Sequence, residues 1–199
     1  MTSRPLPKEL IRKGMFRSRD AEALGVSRTM LARHAARGLV ERDARGVYRI
    51  VGPDANPYIH LEVLVARGVS FVVSLLSALR LHGFTEQLPS SLWITVPQGR
   101  HRPVGAGTHT ICSYQSEPAY SAFVQRIDVD GLSVPVYSPA KTVADCFKFR
   151  NKIGLDVAME ALRDGWRKRK FTADELMAAA RVDRVERVIR PYAEGMLVP

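Results

Sequence analysis

Arg28 and Arg33 fall in a segment, residues 28–37, whose residue types suit contact with a polyanion. A guanidinium can donate two hydrogen bonds to a guanine edge or grip a phosphate. Ser27 and Thr29 stand at the start of the segment, where hydroxyls and free N–H groups favour a phosphate oxygen. Ala32 and Ala36 are small enough to let a helix approach a groove closely. At helical periodicity Arg28, Thr29, Ala32, Arg33 and Ala36 share one face, and Met30, Leu31, His34 and Ala35 share the other. The second face is a core face, which makes His34 a core-side histidine rather than a ligand. Arg37 at the helix end, with Arg42 and Arg45 just beyond it, extends the basic surface toward backbone phosphate or the minor groove. Ser27, Arg28, Thr29, Arg33, Arg37, Arg42 and Arg45 are therefore the candidate contacts to double-stranded DNA.

These residues need a scaffold, and the flanking sequence supplies one. Residues 4–13 read as a short helix ended by Gly14, with Leu6, Leu10 and Ile11 on one face. Ser18 reads as the cap of a helix over residues 19–24, which Gly25 stops. Ser27 caps the helix at residues 28–37, which Gly38 stops. Two short helices joined at Gly25-Val26 give the helix-turn-helix pattern. Strands at residues 39–42 and 46–50, around the turn Asp43-Ala44-Arg45, read as the hairpin of a winged helix-turn-helix.

The charge distribution agrees with this reading. The 199-residue chain carries a formal net charge of +10. Residues 1–52 hold 12 Lys/Arg against 5 Asp/Glu, a net +7. Residues 53–130 hold 5 against 6, and residues 131–199 hold 13 against 9. A local basic excess speeds encounter with polyanions. An acidic membrane surface would also answer to it, but no lipidation motif or long amphipathic basic helix is evident. The two cysteines, Cys112 and Cys146, are too few and too far apart for a disulfide framework or a zinc site. The N-terminus lacks the apolar run of a signal peptide, and the apolar stretch at residues 69–79 is about half a membrane span. A cytoplasmic location and no membrane association are expected.

Residues 52–57, Gly-Pro-Asp-Ala-Asn-Pro, have linker composition and coincide with the end of the charge excess. They divide the chain into residues 1–52 and residues 58–199. In the second part, residues 58–67 and 74–82 read as helices. Residues 92–96 and 108–114 read as strands separated by a Gly/Pro/Arg loop, and residues 133–137 as a third strand. Helices follow at 139–149, 154–164, 172–180 and 182–197, the last with a bend at Pro191. The fold class expected is α+β, a winged helix-turn-helix followed by a mixed α/β domain with a helical C-terminal end.

Ser138-Pro139-Ala140-Lys141 is a good helix start, with Ser as cap and Pro at the first position. Lys141 in the first turn opposes the helix dipole, and Asp145, one turn on, can pair with it. A lysine at an unfavourable position hints at a role in binding an anion or a partner. The alternative is a local Lys141–Asp145 pair on a solvated face. In either case its loss should leave folding improved or barely altered.

From Gly14 to Ile50 the sequence resembles the winged-helix domain of AbiEi-like antitoxins. The matching stretches are Val26-Ser27-Arg28-Thr29-Met30-Leu31 and Arg45-Gly46-Val47-Tyr48-Arg49. In the second part Ser74-Leu75-Leu76-Ser77-Ala78-Leu79, His82-Gly83-Phe84-Thr85 and Leu92-Trp93-Ile94-Thr95-Val96 look like family segments. The strongest is residues 137–145, Tyr-Ser-Pro-Ala-Lys-Thr-Val-Ala-Asp. The resemblance implies a repressor that binds its own promoter. It also implies a second domain that counters a nucleotidyltransferase toxin of a type IV toxin–antitoxin (abortive infection) pair, with Lys141 and Asp145 as candidates for its antitoxin or partner surface.

Catalytic readings find little support. Ser138 and Lys141 spell S-x-x-K, but the companion S-D-N and K-T-G motifs of acylating enzymes are missing. Gly105-Ala106-Gly107 lacks phosphate-loop spacing. The histidines at 34, 60, 82, 101 and 109 show no paired metal spacing. A nucleotidyltransferase needs a Gly-Ser followed by paired carboxylates, and no Gly-Ser dipeptide occurs. The carboxylates near the strands, Glu117, Asp128 and Asp130, have no nuclease-like lysine beside them. Arg100, Arg102 and the run Arg167-Lys168-Arg169-Lys170 read as solvated loops. No enzyme, cofactor or metal is expected, and the chain is expected to be a monomer or homodimer. The alternatives are a stand-alone winged-helix regulator or a protein-interaction module without antitoxin activity.

Overall fold

The computed structural model describes residues 6–36, 38–51, 61, 64–65, 67–87, 89–103, 110–129 and 131–197. The chain divides into two compact units, residues 1–60 and 61–199. The expected linker at residues 52–57 lies outside the described residues.

The first unit comprises α1 (Lys8–Lys13), β1 (Met15–Arg17), α2 (Ser18–Ala23), α3 (Arg28–Ala36), β2 (Val40–Ala44) and β3 (Val47–Ile50). Its strands form an antiparallel sheet in the order β1-β3-β2. The helices close over Leu10, Phe16, Ala21, Val26, Leu31, Val40 and Ile50, which are all buried. Gly25 makes the turn between α2 and α3 at φ +78°, a conformation that costs glycine little.

The expected cap at Ser18 needs correction. Arg17 occupies the cap position, and its N–H donates to the Asp20 carboxylate at 3.1 Å. Ser18 is already helical, and its N–H donates to Gly46 O at 2.8 Å. The cause is β1, which sequence reading did not anticipate. It pairs with β3 and carries the chain into α2 tied to the hairpin.

The second unit has β4 (Val72–Val73), α4 (Leu75–Leu81), β5 (Leu92–Pro97), β6 (Thr110–Gln115), β7 (Val124–Val129) and β8 (Leu132–Tyr137). Then come α5 (Pro139–Lys148), α6 (Arg150–Ile153), α7 (Leu155–Arg167), α8 (Ala173–Val182) and α9 (Glu186–Leu197). The fold class is α+β, as the sequence implies. Five strands form a mixed sheet in the order β6-β5-β4-β8-β7. The pairs β5–β6 and β4–β8 are parallel, and β4–β5 and β7–β8 antiparallel. Helices α4, α5, α7, α8 and α9 pack around Leu75, Phe84, Trp93, Val143, Phe147, Leu162, Leu176 and Ile189. Strands β4 and β7 were not expected. Of the helix expected over residues 58–67, Leu61, Leu64 and Val65 are described and are helical.

Local sequence explains the helix starts. Ser138 Oγ accepts the Lys141 N–H at 3.3 Å, with Pro139 at the first helical position. Thr172 and Glu175 form a reciprocal capping box at the start of α8. Gly165 lies where α7 meets two aromatic rings. A Cβ there would clash with the ring of Phe171 and come within 2.7 Å of that of Phe84, so the approach requires a glycine.

Candidate nucleic-acid interface and a buried charge cluster

Helix α3 presents two different faces, because its apolar residues recur at helical spacing. Leu31 and His34 are buried, and Met30 and Ala35 are half-buried. Arg28, Thr29, Ala32, Arg33 and Ala36 are all exposed. Ser27 is exposed, and its Oγ accepts the Met30 N–H at 3.3 Å, so the hydroxyl caps the helix. Arg42 and Arg45 are exposed on the hairpin. Arg37 lies outside the described residues. The unit thus offers a helix face of guanidinium, hydroxyl and methyl groups, and a hairpin tip with two further arginines.

Charged groups within the unit hold part of this surface in place. Arg28 Nε lies 2.8 Å from Glu22 Oε1, with the two side chains 78% and 42% exposed. Sequence reading missed Glu22, because the contact crosses the turn from α2 to α3 and follows no helical spacing. Lys13 Nζ lies 2.9 Å from Asp20 Oδ2. That ammonium, more than the Arg17 N–H, holds the Asp20 carboxyl below its usual range. Arg49 pairs with Glu41 across β2 and β3.

In the second unit the structure corrects the expectation for Lys141 and Asp145. They do pair, at 2.7 Å and one turn apart, but both side chains are completely buried. They form no surface, and neither offers an atom to a partner. Lys141 Nζ also lies 3.0 Å from Asp183 Oδ1 and 4.2 Å from the centroid of the Tyr137 ring. Gln115 Nε2 donates to Asp145 Oδ1 at 2.6 Å, and Gln115 Oε1 accepts from Lys148 Nζ at 2.9 Å. Lys148 Nζ closes the circuit at 3.3 Å from Asp183 Oδ1.

Two lysines, two aspartates and a glutamine from β6, α5 and the α8–α9 connection thus form one network. The dipole penalty on Lys141 is outweighed by two carboxylates and a ring face in a low-dielectric site. Burial pushes the Asp145 carboxyl up to about 7, with Lys141 opposing and Asp183 reinforcing the rise. Among the described residues neither Asp145 Oδ2 nor Asp183 Oδ2 has a hydrogen-bond partner.

The other basic groups singled out in the sequence divide. Lys168 Nζ donates to Gly83 O and Phe84 O at 3.0 and 3.2 Å, and Arg167 pairs with Asp164 at 2.9 Å. Lys168 thus ties the end of α7 to the segment after α4, while Arg167 pairs within α7 and all four residues of the 167–170 run are exposed. Arg100 and Arg102 are exposed.

Three comparisons place the chain among known proteins. No curated protein matches it significantly. Among solved structures, the RV2827C protein from Mycobacterium tuberculosis aligns over 96% of this chain and 82% of that one. The TM-score is 0.54 at 14% identity, a likeness of fold. Residues 4–51 match a family model described as transcriptional regulator, AbiEi antitoxin. The match covers the described helix-turn-helix and its hairpin and does not extend into the second unit.

Proposed function

We propose that the chain is a DNA-binding transcriptional repressor that inserts α3 in the major groove, with Arg42 and Arg45 of the hairpin on backbone phosphate or in the minor groove. The observation that carries this reading is the outward face of α3. Its Arg28 and Arg33 are exposed, and the side chains beside them on that face, Thr29, Ala32 and Ala36, are short. A protein-interaction module would not need that pairing of guanidinium groups with small residues. The net +7 of residues 1–52 supplies the long-range attraction.

Gel shifts with the DNA upstream of the coding sequence test the proposal. Arg28→Ala or Arg33→Ala should each weaken specific binding by about 1–3 kcal/mol and relax selectivity. Affinity should also fall steeply between about 50 and 200 mM salt, as phosphate contacts release counterions. Unchanged affinity and selectivity in both variants, or indifference to salt, would remove this face from the groove.

The family of the N-terminal unit supports a finer reading. In it the chain is the autoregulating antitoxin of a type IV pair, and its second unit counters a nucleotidyltransferase toxin. Co-expression with a nucleotidyltransferase encoded next to this chain tests it. Growth rescue supports the pair. No rescue, with operator binding intact, leaves a stand-alone regulator.

A further inference from the structure

The two edges of the five-stranded sheet are not alike. On β6, Cys112 O accepts from Lys152 Nζ at 3.4 Å, so part of that edge is occupied. At the other edge β7 pairs with β8 alone, in an unbroken antiparallel register from Val124↔Tyr137 to Val129↔Leu132. The Ser138 N–H donates to Phe123 O at 2.8 Å, which fixes the alternation along the ladder. Gln125, Ile127 and Val129 turn their backbone groups toward β8. Val124, Arg126 and Asp128 turn theirs outward. Among the described residues no backbone hydrogen bond outside the ladder reaches those outward groups.

Monomeric proteins blunt such an edge with proline, charged side chains and lysine above all, a bulge or a covering segment. Residues 124–129, Val-Gln-Arg-Ile-Asp-Val, contain no proline or lysine and no bulge. Phe123 and Val124, at the start of the edge, are 37% and 38% exposed, and both are large apolar residues.

We propose that β7 is a dimerisation edge on which a second copy of this chain pairs antiparallel about Ile127. The strand is its own complement under a two-fold axis through that residue. Ile127 meets the partner's Ile127 in a close, non-hydrogen-bonded pair. On either side Arg126 faces the partner's Asp128, and each such pair exchanges both of its outward N–H···O bonds. Both side chains are exposed and carry opposite charge. The neighbouring registers with the same hydrogen-bond parity set Arg126 against itself or Asp128 against itself, and like charges directly opposite are unfavourable. Charge thus selects one register among those the backbone permits. Ile127 lies on the same face as the buried Val134 and Val136, so the contact extends an apolar surface already present. The interface is isologous and closed. It goes beyond the reading of α3 and does not depend on it.

Sedimentation velocity on the full chain, over a rising concentration series without DNA, tests the edge. The mass should move from 22.2 kDa toward twice that value. R126E sets two acids opposite each other and should sediment as a monomer, while R126E/D128R exchanges the charges and should restore the dimer. Arg126→Pro removes an outward N–H and leaves the backbone bonds of the β7–β8 ladder, giving up only the exposed guanidinium contact to Ser133 O at 3.3 Å. It should be monomeric with the circular dichroism spectrum of the wild type. A wild-type chain that stays at 22.2 kDa throughout overturns the proposal. So does an R126E chain that dimerises as the wild type does, or a double variant that stays monomeric with a wild-type spectrum.

Discussion

Replacing Lys141 by methionine keeps most of the side chain's length and removes its charge. The ammonium lies 2.7 Å from Asp145 and 3.0 Å from Asp183, all three side chains being fully buried. Without it, Asp145 keeps Gln115 and Asp183 keeps Lys148, a side chain 28% exposed to solvent. Removing one partner of a buried pair costs about 3–5 kcal/mol, because an uncompensated charge stays behind. Loss of the Tyr137 ring contact adds up to about 2 kcal/mol. Domains are stable by about 5–15 kcal/mol, so the change removes a large part of the total.

The opposing gain is small: relief of the helix dipole is worth about 1 kcal/mol at most. The expectation from sequence that Lys141 is dispensable for folding therefore reverses. Urea unfolding followed by tryptophan fluorescence measures the loss, because both tryptophans, Trp93 and Trp166, belong to the second unit. At a slope of about 2 kcal/mol per molar, a loss of about 4 kcal/mol moves the midpoint by about 2 M. The triple variant K141M/D145N/D183N leaves no buried carboxylate uncompensated and should recover most of that loss. A Lys141→Met midpoint equal to wild type would refute the reasoning, as would a triple variant no better than the single.

Three further outcomes follow from the geometry. Gly165→Ala should destabilise the second unit by about 1–3 kcal/mol, because the new methyl meets the rings of Phe171 and Phe84. That exceeds the gain of about 1 kcal/mol in helix propensity, and thermal melting followed by fluorescence reads the difference. Burial carries the Asp145 carboxyl from its ordinary 3.8 in the unfolded chain up to about 7 in the folded one. The folded state therefore binds the extra proton, and this group's contribution to stability, complete below pH 3.8, falls as pH rises toward 7. Asp145→Asn should flatten that slope in melts taken across the range, and an unchanged slope would assign it elsewhere. Glu22→Gln frees Arg28 from its carboxylate and removes a negative charge from the surface. Gel shifts with operator and random DNA should show tighter non-specific binding and a several-fold loss of discrimination.

The faces of α3 are legible in the sequence because they rest on local periodicity. Leu31 and His34 recur at helical spacing and are buried, while Arg28 and Arg33 are not. The same logic places Lys141 beside Asp145 correctly. It cannot say that the pair is buried, because burial depends on Gln115 from β6 and on Asp183, far along the chain. The missed strands are those without a periodic signal. β1 has three residues and β4 two, the latter inside an apolar run that also holds α4. β7 has no buried residue, so apolar and polar positions do not alternate along it. The Glu22–Arg28 contact escapes for a related reason, since a turn separates the partners.

Nearly every polar group in the strand-to-helix motif at residues 137–145 is spent inside the unit. Ser138 caps α5, and Thr142 Oγ1 donates to Tyr137 O at 3.2 Å. Tyr137 OH donates to Tyr120 O at 2.8 Å, and Lys141 and Asp145 complete the buried network. A motif of this kind is explained by the fold it secures, with no partner required. Each residue of it meets a steric and an electrostatic demand at once. A surface that meets another protein faces fewer such demands and leaves a weaker trace. Residues that could touch a partner protein are therefore to be sought among exposed groups that no intramolecular contact explains, and substitution within the motif would report on stability instead.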